Sequence, residues 1–174
     1  MRRIAPLLLG LLLIAGSAAA QMPSKDYLIS GFERQRGVLL RYVDAMPDSG
    51  MAFRPTPGVR SYAEQLEHIA QATAGITRQL MGAPGEPPAL PTKAQYMADR
   101  AAMRAFMAGS FDAAIATVRA MTEADLRAEK TQFGLTRLVW QWVIGIQEHT
   151  AWTLGATVPY LRLQGVVPPN YLPF

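Results

Sequence analysis

The sequence predicts an all-α protein, a four-helix bundle preceded by a cleaved signal peptide. Three observations carry the fold class. Four stretches place apolar residues along one helical face, clusters of Pro and Gly separate them, and no run alternates with period two for long enough to suggest a sheet. Amphipathic helices bury their stripes against one another, which makes a bundle.

The chain opens with the basic head Met1-Arg2-Arg3, followed by an apolar run from Ile4 to Ala15. Ser17-Ala18-Ala19-Ala20-Gln21 then supplies the small residues that a signal peptidase prefers. Spanning a bilayer needs roughly 20 apolar residues. This run is shorter, and Pro6 and Gly10 interrupt it. The expectation is a signal peptide over residues 1–20, a single domain over 21–174, and a periplasmic or secreted protein with no membrane contact after cleavage. The chain has no cysteine, which excludes disulfides, thiolate metal sites and a lipid-modified cysteine. Arg2 and Arg3 belong to the leader, so part of the formal charge of +4 leaves with it. The remaining charges alternate in sign, with none of the basic clustering that nucleic acid requires.

The first helix is expected from about Lys25 to Met46, with Leu28, Phe32, Leu39, Tyr42 and Met46 on its apolar face and Gln35 as the one polar member. Pro47-Asp48-Ser49-Gly50 ends it, and Phe53 to Gly58 cannot be helical because Pro55, Pro57 and Gly58 punctuate it. Ser61 and Glu64 have the spacing of a capping box. Tyr62, Leu66, Ile69, Thr73, Ile76 and Leu80 then trace the second helix. Gly82 to Pro91 reads as an extended connection. The third helix opens at Thr92 and carries Tyr96, Met103, Met107, Ala114, Val118 and Met121, with a bend or break at Gly109-Ser110. The fourth is expected from about Thr136 to Gln164, with a stripe of Leu138, Trp142, Gly145, His149, Trp152, Ala156, Tyr160 and Leu163. Pro159 predicts a kink in its last third, and Gly165 ends it before an extended tail.

The chain has two histidines, on different helices. His149 falls within the fourth stripe and is expected to point inward, where an imidazole needs a hydrogen-bond or metal partner. His68 lies on the shoulder of the second helix, flanked by Gln65, Ala72 and Gln79. Metal sites in bundles are built from facing helices, so the two are candidate ligands. A lone histidine on an apolar face is more often a satisfied core residue, and a catalytic zinc usually takes three protein ligands. Glu64, Glu67 and Glu148 are near in sequence, but adjacent helical positions point about 100° apart, which weakens Glu67 and Glu148 as co-ligands. There is no G-x-S-x-G context at Ser110, no phosphate loop and no haem attachment motif.

Arg54-Pro55-Thr56-Pro57-Gly58-Val59-Arg60-Ser61, with Glu64 and His68-Ile69-Ala70, resembles the entry to the second helix of DinB-like proteins. Glu148-His149-Thr150-Ala151, Gly155 and the closing Tyr160-Leu161-Arg162-Leu163-Gln164-Gly165-Val166-Val167-Pro168-Pro169 are similar to that family's last helix and tail. The resemblance covers nearly the whole mature chain. It implies the DinB/YfiT-like four-helix bundle, whose metal-binding members hold a divalent ion with three histidines. Some members are thiol transferases, others are described as metal-dependent hydrolases, and the family often dimerises. His68 and His149 match two of the three histidines. The third position holds Thr153, a weak neutral ligand one helical turn from His149. The family often has a polar residue where Trp152 and Ala156 stand.

The resulting expectation is an exported DinB-like protein whose metal site is degraded or changed in use, with no bound cofactor and a small molecule or a second copy as partner. The alternative is a divalent-metal-dependent hydrolase or transferase that holds zinc or nickel with His68, His149 and a further ligand. A third is a structural bundle with both histidines simply buried.

Overall fold

A computed structural model describes residues 21–82 and 89–171. The leader expected over 1–20, and most of the connection expected between Gly82 and Pro91, lie outside the described residues. Six helices and one hairpin follow in chain order: α1 (Lys25–Ala45), α2 (Tyr62–Met81), α3 (Lys93–Ala98), α4 (Arg100–Ala120), α5 (Glu123–Arg127), β1 (Glu129–Gln132), β2 (Leu135–Leu138) and α6 (Val139–Leu163). The four long helices form the bundle, with α1 and α2 each packed against both α4 and α6. The expected bundle is therefore present, with α3, α5 and the hairpin as additions.

The expected stripes of the first three helices lie in the core. Leu28, Phe32, Leu39 and Tyr42 on α1, and Tyr62, Leu66 and Ile69 on α2, are buried. Gln35 is buried too, because its amide Nε2 donates to the Gln147 carbonyl at 2.6 Å. Gln147 reciprocates, donating to the Leu28 carbonyl at 2.7 Å. Gly31 makes room for this exchange: a Cβ there would stand 2.5 Å from Gln147 Oε1. The pair joins α1 to α6 with hydrogen bonds to backbone carbonyls rather than with apolar contact alone.

Three expectations are corrected. The third helix breaks at Asp99, not at Gly109-Ser110. Asp99 is extended (φ −136°, ψ 126°) and caps α4, its carboxylate accepting from the Ala101 amide at 2.8 Å. Gly109 and Ser110 lie inside α4, where Leu90 lies over Gly109 at a distance that leaves no room for a side chain. The fourth helix starts at Val139, because residues 135–138 pair with 129–132 in an antiparallel hairpin. That hairpin is nearly all exposed, so it has no apolar alternation to read. Its turn residues Phe133 and Gly134 have φ of 51° and 75°, as a two-residue primed turn requires. α6 runs on through Pro159 to Leu163.

The third correction concerns which face of α6 is inside. Val139, Val143, Ile146, Thr150, Thr153, Leu154, Thr157, Tyr160 and Leu161 are buried. Of the expected stripe only Tyr160 is among them. Trp152 is 82 % exposed and Leu163 62 % exposed. Trp142 stands at the edge, where its indole N–H donates to the Lys130 carbonyl at 3.0 Å and holds the hairpin.

The N-terminus of α2 and the C-terminus of α6 carry specific caps. Ser61 Oγ accepts from the Glu64 amide at 3.2 Å while Glu64 accepts from the Ser61 amide at 2.7 Å, the reciprocal capping box. At the other end Gly165, with φ of 72°, lets the Val166 amide reach the Leu161 carbonyl at 2.9 Å and the Gly165 amide reach that of Arg162 at 3.0 Å. This is the Schellman arrangement. Replacing Ser61 by Ala removes one half of the capping box, and we expect a loss of about 1 kcal/mol, measured by urea unfolding, with the helical content of the folded state unchanged.

Candidate functional site

α2 and α6 run antiparallel, as the pairs Thr73–Thr150 and Gln65–Tyr160 show. Along the same interface the structure brings His68 and His149 together. Their Nε2 atoms are 3.2 Å apart, and the rings meet edge to face with centroids 5.0 Å apart. Both side chains are half-buried at the rim of the interface, so His149 flanks the core rather than pointing into its middle.

Burial pushes both imidazoles below their usual range. The positive charge of Arg60 adds to this at both rings, and His149 adds to it at His68. Both are therefore neutral near pH 7. His149 Nδ1 is buried with no hydrogen-bond partner among the described residues. An unmatched lone pair is more tolerable there than an unmatched N–H donor. We therefore assign the His149 proton to Nε2, from which it donates to His68 Nε2, with the His68 proton on Nδ1.

The loop that brings in Arg60 is fixed by both ends of the bundle. Arg54 donates to the Val59 carbonyl and to Glu64 Oε1, each at 2.6 Å. The Tyr160 hydroxyl donates to the Arg60 carbonyl at 2.8 Å and accepts from Gln65 at 3.3 Å. Its ring packs against Phe53 and Tyr62, at centroid distances of 6.3 and 6.1 Å. The Arg54–Ser61 segment and the closing Tyr160 segment, singled out separately in the sequence, are thus in contact.

The fit to a metal ion divides. Two Zn–N bonds of about 2.0–2.1 Å at a tetrahedral angle place their nitrogens roughly 3.3 Å apart, and the observed 3.2 Å matches this. The rest of the site does not. Among the described residues no group of three or more His, Asp or Glu side chains gathers anywhere. Thr153, at the position that the resemblance gives to a third imidazole, is buried and is not a histidine. Glu67 is taken by Tyr96, whose hydroxyl donates to it at 2.7 Å, and by Lys93 at 2.9 Å. Glu64 is held by Arg54 and Ser61, and Glu148 is exposed. A metal on both Nε2 atoms would also drive the His149 proton onto Nδ1, where it meets no acceptor. Ligating histidines ordinarily donate that second N–H to a partner, and a buried unmatched donor costs about 1–3 kcal/mol. The residues present do not make a complete metal site.

Trp152 and Ala156, both expected on the inward stripe of the fourth helix, are exposed. Sequence reasoning missed two contributors. Arg60 enters the sequence reading only within the Arg54–Ser61 segment, and its basic side chain directly before the capping box is the signal available there. Tyr160 reads as a core residue from its apolar stripe, and the signal for its second role is that a buried tyrosine hydroxyl usually finds a partner.

The DinB superfamily pattern matches residues 31–156, so the chain belongs to the DinB superfamily. Its fold is similar to the crystal structure of a DinB-like protein from Bacillus cereus ATCC 10987, with a TM-score of 0.70 and 15 % identity, covering 87 % of this chain and 100 % of that one. No match is found among curated proteins.

The depressed imidazoles give a pH dependence with a definite sign. Above the ordinary histidine pKa, about 6.5, neither state binds a proton and their contribution to stability is complete. As pH falls through that value the unfolded chain takes up protons first, so stability declines toward the folded-state pKa. We expect urea midpoints to drop between pH 7.5 and 5.5, and a His68→Gln/His149→Gln variant to show a smaller drop. An equal drop in the variant would contradict the assignment.

Proposed function

We propose that this chain is an exported DinB-superfamily protein whose histidine site has left metal chemistry and binds a small ligand instead. The observation that carries the reading is the direct Nε2–Nε2 contact of His68 and His149 at 3.2 Å, with Thr153 in the third position and no acceptor at His149 Nδ1. A neutral imidazole pair joined in this way offers one outward N–H at His68 and no open coordination set. The basic, apolar and small-residue segments of the first 20 residues support export. Among the described residues no helix is long and apolar enough to cross a membrane.

One observation favours a second reading. The imidazole spacing suits a shared zinc or nickel ion, as in a divalent-metal-dependent hydrolase or transferase that recruits a further ligand. The two readings part on metal content. The full chain, purified without metal-affinity resin and dialysed, is expected to carry far less than one equivalent of zinc or nickel by plasma mass spectrometry. One equivalent that disappears in His149→Ala would overturn the proposal and establish the alternative.

A further inference from the structure

We propose that the outer face of α6 is covered by a second copy of the chain, the two α6 helices running antiparallel about a two-fold axis at Gly155. The inference concerns the side of α6 turned away from the core, and it holds whichever way the histidine pair is used.

Trp152, Ala156, Pro159 and Leu163 are all exposed. At about 100° per residue their spacing sets them in one narrow strip along the helix. Trp152 is 82 % exposed and Leu163 62 % exposed, and neither a ring contact nor a hydrogen bond engages the indole. The solvent side of a bundle helix is ordinarily rich in charge. α6 has only two charged side chains in its 25 residues, Glu148 and Arg162. A contiguous apolar strip left in water marks an interaction surface, and tryptophan is the residue most enriched at the centres of such surfaces.

The two charges identify what covers the strip. Glu148, Gly155 and Arg162 follow one another at intervals of seven, so they form a single row beside the apolar strip, with a drift of about 20° per interval. The acid stands about 10 Å to one side of Gly155 and the base about 10 Å to the other. Both are exposed, and among the described residues neither side chain has an ion pair or a hydrogen bond. A two-fold axis at Gly155 brings Glu148 of each copy opposite Arg162 of the other and sets Gly155 against itself. Parallel helices would instead place like charges together. The surface is thus complementary to itself, as an interface between two identical chains must be.

Gly155 fits the crossing point. A Cβ there would meet nothing within 4 Å, so no contact inside the chain requires its absence. The missing side chain lets two helices approach, and Trp152 of each copy then comes over Pro159 of the other. The apolar contact drives association, because exposed ion pairs contribute little. The charges fix direction and register.

The test is sedimentation velocity of the purified chain across micromolar concentrations, with helical content followed by circular dichroism. A reversible dimer is expected. Trp152→Ala should weaken it about tenfold or more. Glu148→Arg and Arg162→Glu should each weaken it several-fold by facing like charges, and the two combined should restore it. All three residues are exposed, so helical content should stay at the wild-type value in every variant. A monomer at every concentration would leave the face to some other partner and overturn the inference. A dimer indifferent to Trp152→Ala, or one that the combined charge exchange fails to restore, would overturn it equally.

Discussion

The close approach of α2 to α6 through small hydroxylic side chains is the constraint on which the site depends. Thr73 and Thr77 on α2, and Thr150, Thr153 and Thr157 on α6, are all buried. Most of their hydroxyls are satisfied locally or with each other: Thr77 donates to the Thr73 carbonyl at 2.5 Å, Thr157 to that of Leu154 at 2.7 Å, and Thr73 meets Thr150 at 3.3 Å. With their polar atoms matched, threonines pack as small residues and let two helices come near. Larger aliphatic residues along this seam would hold the helices further apart and separate the imidazoles at its rim.

The same seam explains what could be read from the sequence and what could not. On α1, α2 and α4 the interior is mostly aliphatic, aromatic and Met side chains, and the apolar period locates it directly. On α6 a third of the buried face is threonine, whereas Trp152 and Leu163 are apolar and exposed. Hydropathy therefore rotated the stripe toward the wrong side, carrying His149 inward with it. The break at Asp99 was signalled only by a capping residue in the middle of a helical pattern. The hairpin gave no signal because both its faces are wet and its turn uses Phe133-Gly134 in place of the usual Asn-Gly. The pairing of the two histidines was anticipated from helix order alone, but their direct contact depends on the helix separation, which no residue pattern states.

Two imidazoles in contact share one useful proton between the facing nitrogens, and this decides the chemistry available. A metal needs both of those nitrogens free, a third donor, and an acceptor for each displaced proton. Among the described residues the bundle supplies the spacing but no third donor, and no acceptor for the proton that His149 would move to Nδ1. Glu67, the one buried carboxylate on α2, is turned away to tie down Tyr96 and Lys93, so it serves the placement of α3 instead. What stands at the rim is the half-buried imidazole pair, with Arg60 and the indole of Trp152 both exposed.

The proton arrangement is the most direct point of attack. Long-range 1H–15N NMR of imidazole-labelled protein reports which nitrogen of each histidine is protonated. His149 is expected as the Nε2–H tautomer and His68 as the Nδ1–H tautomer, with neither spectrum altered by one equivalent of zinc. Both rings appearing as Nδ1–H, with the two Nε2 resonances moving together on zinc addition, would contradict the account and return the site to metal chemistry.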